Sequence, residues 1–450
     1  MTTTQRSAAK PGGGNQKLRT AIAAGVGAAI ENYDFAAFGT ASALYLGAAF
    51  FSAADPIMGT LMAFLTFGVG FLARPFGGVV GGHLGDRYGR KPVLVMSLIV
   101  MGSSTFAMGL LPTYAQIGVL APILLVTVRL IQGLAYGAEW GGAVMMTFEH
   151  APRRQKGVYS AVPQAGTPTG IALATVVFLF SVQLGGEWAW RVPFLASAVL
   201  IGVGIFIRLK IEESPDFEEA KGKGEILASP VKEAVSREWA TILRIIALRL
   251  VESCGYYVVA TFLLSHIKTN HPDTENVTLI ALLLAATIAI PMVIVSGALS
   301  DRFGRKRVYM FGVLASIAFG FPMFMLTNGG NELAIILVFV IGISVIWASV
   351  AGVQGAWFGE LFPTNTRTSG VSLGYQLAAS IAGFSPFIVG VLTAALGWIG
   401  GSTFYVLIAV IGLIGVVATR ETWRGGKSRL TGESEVAKAD QAREIGAAVK

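Results

Sequence analysis

The stretch Gly82–Lys91 reads GHLGDRYGRK, and its counterpart Gly297–Lys306 reads GALSDRFGRK. The two copies share glycine, leucine, aspartate, arginine and lysine at the same offsets, and an aromatic residue stands at Tyr88 and at Phe303. Each copy joins one long apolar segment to the next. A single basic turn of this kind is usually only a topology signal, but two matched copies, one in each half of the chain, indicate an internally duplicated membrane protein of the kind typical of transporters.

The composition places the chain in lipid. Of its 450 residues, 54% are hydrophobic and 13% are charged, whereas soluble domains carry about 25% charged residues. The formal charge of +8 comes from bases in the short connections between apolar runs, a positive-inside pattern rather than a nucleic-acid-binding face. The sequence contains no HExxH, no paired CxxC and no nucleophile elbow, so we predict no enzymatic activity, no metal and no cofactor.

Twelve apolar segments each reach the length of about 20 residues that spanning requires. They cover residues 18–50, 57–84, 92–111, 117–148, 157–183, 189–208, 241–268, 277–299, 308–327, 333–358, 367–396 and 401–420. A charged linker separates the first six from the last six, which predicts an all-α membrane protein with two six-helix halves. The predicted domains are a disordered tail over 1–17, an N-terminal half over 18–208, a linker over 209–240, a C-terminal half over 241–420 and a second tail over 421–450.

Lysine and arginine are concentrated in one set of connections, and the opposite set offers only Lys268. This asymmetry predicts that both termini and the linker are cytoplasmic in a multi-pass protein of the plasma (inner) membrane. The basic positions are Arg87, Arg90, Lys91, Arg153, Arg154, Lys156, Arg302, Arg305, Lys306, Arg307 and Arg367.

Several ionisable residues lie within the apolar segments, where a charge is costly and is by default a functional hypothesis. A rise of about 1.5 Å per residue puts them near the middle of the bilayer. Four acids against three arginines leave one carboxylate without a fixed cation, which predicts a proton carrier. The alternative is a static network that holds the helices in register. The candidate proton-coupling residues are Glu31, Asp34, Glu139 and Glu252.

Arg129 is the predicted binding residue for an anionic substrate, because a guanidinium offers a planar fork that fits a carboxylate. Amides at the same depth need hydrogen-bond partners, whereas packing or lipid contact is the alternative role for each aromatic residue. The further candidate substrate-binding residues are Gln132, Arg74, Tyr136, Gln164, Arg249, Tyr256, Trp347, Gln354, Tyr375 and Gln376.

An acid followed by arginines recurs at the ends of the fourth and tenth segments, at Glu149 and at Glu360. Such pairs can latch the cytoplasmic side shut, although exposed ion pairs contribute little and a merely structural role stays open.

The twin loops and the layout of six plus six segments resemble the major facilitator superfamily over nearly the whole chain. Within it, several motifs are similar to the metabolite:proton symporter branch, and two look closest to its shikimate transporters. The first set is IENYDFAAFG (30–39), RPFGG (74–78), RLIQGLAYGAEWGGA (129–143), EHAPRRQKG (149–157) and ELFPTNTRTSG (360–370). The second set is IIALRLVE (245–252) and GYQLA (374–378).

The resemblance implies twelve helices, with inverted repeats within each half. It also implies proton-coupled uptake of a small carboxylate or zwitterion. Matching motifs implicate Glu31, Asp34, Arg74, Arg129, Gln132 and Glu139 in that activity. The predicted gating residues, some from the loops and some from the acid–arginine repeats, are Asp86, Arg87, Arg90, Glu149, Arg153, Arg154, Asp301, Arg302, Arg305, Glu360 and Arg367.

The predicted function is therefore proton symport of a small carboxylate such as shikimate or a related organic acid. The proton gradient is the predicted energy source, and the functional unit is predicted to be a monomer. A proton-coupled exporter is one alternative, and it would favour an apolar pocket with fewer buried arginines. A facilitator without proton coupling is a second. A transporter-like nutrient sensor is the third, from another class, and it would normally carry an added signalling domain.

Overall fold

The computed structural model describes residues 13–53, 55–88, 90–137, 147–149, 151–152, 154–209, 230–363, 366–424 and 427–428. Almost all of these residues are helical. The described chain also contains one short antiparallel pair of strands near its end, β1 (Trp423–Arg424) and β2 (Lys427–Ser428).

The first part of the chain forms eleven described helices. They are α1 (Gly13–Ala41), α2 (Gly47–Phe50), α3 (Pro56–Leu72), α4 (Arg74–Tyr88), α5 (Arg90–Leu110), α6 (Tyr114–Ile117), α7 (Leu120–Gly137), α8 (Lys156–Gln164), α9 (Gly166–Val182), α10 (Trp188–Leu195) and α11 (Ser197–Leu209). A π-helical turn over Ser42–Leu46 joins α1 to α2, so the segment predicted over 18–50 is one nearly continuous helix.

The second part forms nine further helices. They are α12 (Pro230–Tyr257), α13 (Leu263–Asn270), α14 (Glu275–Phe303), α15 (Arg305–Asn328), α16 (Glu332–Phe339), α17 (Ala348–Leu361), α18 (Arg367–Ala382), α19 (Ser385–Leu396) and α20 (Trp398–Ala418). π-Helical turns over Val258–Phe262 and Val340–Trp347 continue α12 into α13 and α16 into α17, and a 3-10 turn over Pro272–Thr274 precedes α14.

Nine stretches of the described chain are long and apolar enough to cross a membrane. They are Pro56–Gly78, Leu120–Gly137, Lys156–Val182, Ala234–Asn270, Pro272–Phe303, Arg305–Asn328, Glu332–Leu361, Arg367–Leu396 and Trp398–Ala418. Val95–Leu110 and Trp188–Gly204 are shorter apolar helices. The count of twelve spans stays a prediction.

The start of the second half differs from the predicted boundary. Helix α12 begins at Pro230, inside the stretch predicted as linker, and its backbone leaves helical geometry at Glu238 (φ −119°, ψ 18°). The helical start predicted at residue 241 therefore follows this kink rather than the beginning of the helix.

Glycines bring α3 and α4 unusually close to α7. A Cβ atom placed on Gly133 would lie 2.0 Å from the carbonyl oxygen of Gly70, and one on Gly137 would lie 2.0 Å from that of Arg74. Small residues let helices approach in this way in a bilayer. This packing fixes the helix that carries Arg74 against the helix that carries Arg129.

A break between α3 and α4 creates a contact between the two parts of the chain. Pro75 has no N–H to give to the carbonyl of Phe71 one turn earlier. The hydroxyl of Ser380 on α18 lies 3.0 Å from that carbonyl oxygen and donates to it, with the carbonyl of Gln376 as its alternative acceptor at 2.9 Å. The side chain of Phe71 also packs directly on Gly383.

Candidate functional site

A buried polar cluster lies between α1, α5 and α7 in the first part of the chain. Arg129 is fully buried and donates from Nη1 to Oε1 of Gln132, whose Nε2 donates to the hydroxyl of Thr105 at 2.7 Å. Asp34 is 3% exposed and interacts with Thr105 and with the charges of Arg129 and Glu31. Sequence reasoning named the charged members but missed Thr105, because a threonine in an apolar helix carries no signal of its own.

Aromatic rings enclose Arg129 on its remaining sides. Its guanidinium carbon lies 4.1 Å from the ring centre of Phe38, 4.8 Å from that of Phe35 and 5.4 Å from that of Phe67. The Nε and Nη2 atoms have no hydrogen-bond partner in the part of the chain that the structure describes. A Cβ atom on Gly70 would lie 2.5 Å from Nε, so this glycine provides the room that the side chain occupies.

Arg74 is held by rings rather than by acids. It is 4% exposed, and its guanidinium carbon lies 3.8 Å from the ring centre of Phe71, 4.0 Å from that of Tyr136 and 4.1 Å from that of Phe35. Among the residues that the structure describes, Arg74 forms no ion pair, and its Nε has no hydrogen-bond partner. Rings stabilise a desolvated guanidinium through cation–π attraction.

A second buried charged cluster lies in the C-terminal part of the chain. Arg249 forms an ion pair with Glu252 and donates to Oε1 of Gln354 at 3.0 Å. Glu252 also accepts from Nε1 of Trp347 at 2.8 Å and from the hydroxyl of Ser253 at 2.9 Å. The two residues are three positions apart and therefore share one face of α12.

Aromatic and amide side chains fill the space between the two clusters. Tyr257 packs against Phe71 with ring centres 5.2 Å apart, and Tyr256 packs against Tyr257 at 5.1 Å and Trp347 at 5.6 Å. The guanidinium carbon of Arg249 lies 3.7 Å from the ring centre of Tyr375. The predicted substrate-binding residues include Tyr256 but not Tyr257, although the ring of Tyr257 contacts Phe67 and Phe71 of α3.

The remaining predicted residues are distributed as follows. Gln164 hydrogen-bonds Tyr375 across the two parts of the chain, and Gln376 is buried with its Oε1 unpartnered. Glu31 is buried and interacts with Asp34 and Tyr136. Glu139 lies outside the described residues.

The predicted cytoplasmic gate contains a buried ion network. Asp301 accepts the backbone N–H of Gly157 at 2.9 Å and that of Val158 at 3.0 Å, so it joins α14 to the start of α8. Arg305 is fully buried and bonds Asp301 at 2.7 Å and Glu360 at 3.1 Å. These acids and this arginine are desolvated together. Breaking any one contact therefore leaves a buried charge without its partner in a low-dielectric interior.

The other predicted gating residues make weaker contacts, are exposed, or have side chains outside the part of the chain that the structure describes. Arg367 is buried and donates from Nε to the carbonyl of Gly359 at 2.9 Å, whereas its distance to the half-exposed Glu149 is 3.7 Å. Arg154 and Arg302 are exposed. Arg153 lies outside the described residues, and at Asp86, Arg87 and Arg90 the structure describes only the helical backbone.

A second contact joins the two parts of the chain at the opposite end of the helices. The hydroxyl of Tyr45 lies 2.5 Å from Oε1 of Glu275, and Nζ of Lys268 lies 3.1 Å from Oε2 of the same acid and 3.0 Å from the carbonyl of Leu44. Sequence reasoning noted Lys268 only as the single base on this side. Its partners could not be found, because they come from distant parts of the chain. The halves of the chain are thus bridged at both ends of the helices.

Comparison with known proteins identifies a matching family and several similar proteins. Residues 25–386 match the family model described as Major Facilitator Superfamily. The shikimate transporter of Escherichia coli (strain K12) is 40% identical over 385 residues, 83% of this chain and 87% of that protein. The proline/betaine transporter of Salmonella typhimurium (strain LT2) is 35% identical over 425 residues, 90% and 84% of the two chains.

Solved structures are similar at the level of the fold. The xylose transporter of Escherichia coli, in a partially occluded inward-open conformation, superposes with a TM-score of 0.70 over 91% of this chain and 99% of that chain. The two sequences are 17% identical, so the likeness concerns the fold alone.

Proposed function

The chain belongs to the Major Facilitator Superfamily, and from that premise we propose that this multi-pass membrane transporter imports a small carboxylate metabolite together with protons. The proposed substrate is shikimate or a related organic acid, since the E. coli shikimate transporter is a relative. We further propose the inner membrane as its location and a functional monomer of twelve helices. These helices form two six-helix halves with cytoplasmic termini, 18–208 and 241–420.

One observation carries this proposal: the buried atoms without partners in and between the two charged clusters are mostly N–H donors. Among the described residues these donors are Nε of Arg74, Nε and Nη2 of Arg129, Nε of Arg249 and Nε2 of Gln354, whereas Oε1 of Gln376 is an acceptor without a partner. A buried donor left unpaired costs about 1–3 kcal/mol. An acceptor-rich anion that enters this region relieves that cost, and a carboxylate suits guanidinium donors best.

Proton coupling follows from the acids beside these donors. Asp34 interacts with Arg129 and Glu31, so a proton on either acid changes the field at the arginine. Protonation and substrate binding then favour the same state, and a ligand drives a transition only through different affinities for its two states. Glu252 has the matching position beside Arg249 in the C-terminal half, and Glu139 stays a proposed member of this set.

Transport would proceed by opening one bridged end at a time. The Asp301–Arg305–Glu360 network would part for inward release, and the contact of Tyr45 and Lys268 with Glu275 would part for outward loading. Arg153, Arg154, Glu149 and Arg367 would assist at the cytoplasmic end.

The test is uptake of radiolabelled shikimate into proteoliposomes, with and without a more acidic outside. We expect accumulation above the external concentration only with the gradient, and competition by other carboxylates. Uptake that reaches equilibrium but ignores the gradient would contradict symport and favour a facilitator. Export alone would favour the exporter.

A zwitterionic substrate is the second candidate, and one observation favours it. Glu252 lies beside the rings of Trp347 and Tyr256, a combination that suits a quaternary ammonium group through charge and cation–π attraction. The proline/betaine transporter of S. typhimurium is a relative as well. Competition of shikimate uptake by betaine, compared with competition by a monocarboxylate of similar size, separates the two candidates.

A further inference from the structure

Two buried arginines from different parts of the chain lie next to the same helix, α18. Arg74 packs on the ring of Phe71, whose carbonyl accepts from Ser380 of α18 and whose ring contacts Tyr257. Arg249 packs on the ring of Tyr375, which also belongs to α18. Each guanidinium faces a ring and has a buried Nε without a partner.

Of these two guanidinium groups, only that of Arg249 has an ion-pair partner among the described residues. Glu252 neutralises Arg249 through their ion pair, whereas Arg74 has rings but no ion pair among the described residues. Like charges repel strongly in a low-dielectric interior. A singly charged anion between the two guanidinium groups would remove that repulsion and satisfy both Nε atoms.

Arg129 also lies among rings and has unpartnered N–H groups, but its polar neighbours are different. It belongs to the first half alone, hydrogen-bonds Gln132 and interacts with Asp34. The rings of Phe38 and Phe35 lie close to its guanidinium. Arg129 stays charged, so its position suits a response to the protonation state of Asp34 better than direct contact with a solute between the halves.

We propose that the substrate carboxylate binds between Arg74 and Arg249, and that Arg129 acts on binding only through Asp34. This assignment rests on the proposed transport of a carboxylate and refines the prediction that put Arg129 first. Because the two arginines belong to different halves, a carboxylate contacts both only when the halves are closed on it. The anion itself therefore stabilises the closed state, which gives the difference in affinity that transport requires.

The experiment measures equilibrium binding of shikimate and of its neutral methyl ester to the purified full-length protein, without a proton gradient. We expect the wild-type protein to prefer the acid, and Arg74→Gln and Arg249→Gln each to weaken acid binding about 100-fold with little effect on the ester, because each removes one charged partner of a buried carboxylate. A merely structural role would weaken both ligands together and leave their ratio unchanged, which would overturn the assignment.

Matched variants keep the result interpretable. Arg244→Gln makes the same change on the same helix at an exposed position and should leave both affinities unchanged. Arg249→Gln leaves the buried Glu252 without its ion-pair partner. The double variant Arg249→Gln/Glu252→Gln removes both charges of the pair and should show the same loss of acid preference. Arg129→Gln should keep the preference while losing proton-driven accumulation; loss of the preference in Arg129→Gln alone would return the carboxylate to Arg129.

The binding assay also separates this assignment from the proposed symport. Wild-type protein that prefers acid over ester but never accumulates shikimate would contradict symport and support the arginine pair. Wild-type protein that accumulates shikimate while both arginine variants keep the wild-type preference would support symport and contradict the pair. Absence of binding to shikimate and to a panel of other monocarboxylates would overturn the pair.

Discussion

At the scale of single residues, glycines set the distance between the helices that carry the buried arginines. Gly70 leaves space for the Arg129 side chain, and Gly133 and Gly137 let α7 touch the backbone of α3 and α4. The arginines could be identified from the sequence, since a charge in an apolar segment stands out against its neighbours. The glycines could not, because one glycine among 56 gives no sign of which backbone it touches.

This contact predicts a large effect of a single methyl group. Gly133→Ala would place a Cβ atom 2.0 Å from the carbonyl oxygen of Gly70, and since backbone lies on both sides, the helices must move apart. We expect a loss of about 1–3 kcal/mol in stability, typical of an overpacked core, seen as a lower melting temperature in detergent.

Gly27→Ala is the matched control. A Cβ atom on Gly27 would meet nothing within 4 Å, so its melting temperature should stay at or slightly above that of the wild type. Equal melting temperatures for the two variants would contradict the close approach of α7 and α3.

At the scale of elements, one contact that joins the halves depends on a deviation from regular helix geometry. Tyr45 belongs to the π-helical turn after α1, and Lys268 stands in the last turn of α13. Periodicity locates apolar helices well, but a π turn changes which side chains face a neighbour without changing the apolar pattern. The contact of Tyr45 and Lys268 with Glu275, called the outer contact below, was therefore not predictable from the sequence. The matched loop that contains Asp301 was predictable.

The outer contact should control access from outside. Glu275→Gln removes the charge that attracts Lys268, whose side chain is 30% exposed, so the expected effect is about 1 kcal/mol, or roughly fivefold in the open population. A cysteine at position 261 would report this opening, because Thr261 faces Gly39 of α1 in the closed contact. The variant Thr261→Cys is made in a chain whose single native cysteine, Cys254, is replaced by serine. Labelling by a membrane-impermeant thiol reagent should speed up accordingly.

Glu332→Gln provides the comparison for this labelling rate. Glu332 is an exposed acid at the start of α16, on the same side of the molecule, and its replacement should leave the rate unchanged. A rate in Glu275→Gln no faster than in Glu332→Gln would remove this contact from the gate.

At the scale of the whole molecule, the duplicated loop and the composition predicted an all-helical membrane transporter, and the resemblance of its motifs and layout to a known family indicated the superfamily. The buried side chains at the centre were predictable as a set, because their depth follows from helix rise. Their contacts between helices were not: Arg74 lies on Phe71, Tyr136 and Phe35 rather than on an acid. Which buried charges meet depends on how helices distant in sequence pack, and periodicity holds no information on that.

The asymmetry of basic residues predicts the orientation of the whole chain. Arg302, Arg305 and Lys306 stand on one side and Lys268 alone on the other, so a fluorescent protein fused after Lys450 should fold and fluoresce in the cytoplasm. Alkaline phosphatase fused at the same place should be inactive, and a fusion after Gly330 should give the opposite result. Phosphatase activity at Lys450 would contradict cytoplasmic termini.

The break at Pro75 has a consequence for water. The carbonyl of Phe71 receives its hydrogen bond from Ser380, in the other half of the chain. When the halves separate, Ser380 can turn to the carbonyl of Gln376. The Phe71 oxygen then keeps only the N–H of Ala73, two residues along the chain, and lipid has no donor to offer. A water molecule can take the place of the serine hydroxyl, so opening of the cavity favours water at this carbonyl and closure expels it. Hydration of one peptide group then forms part of the free-energy cost of every cycle.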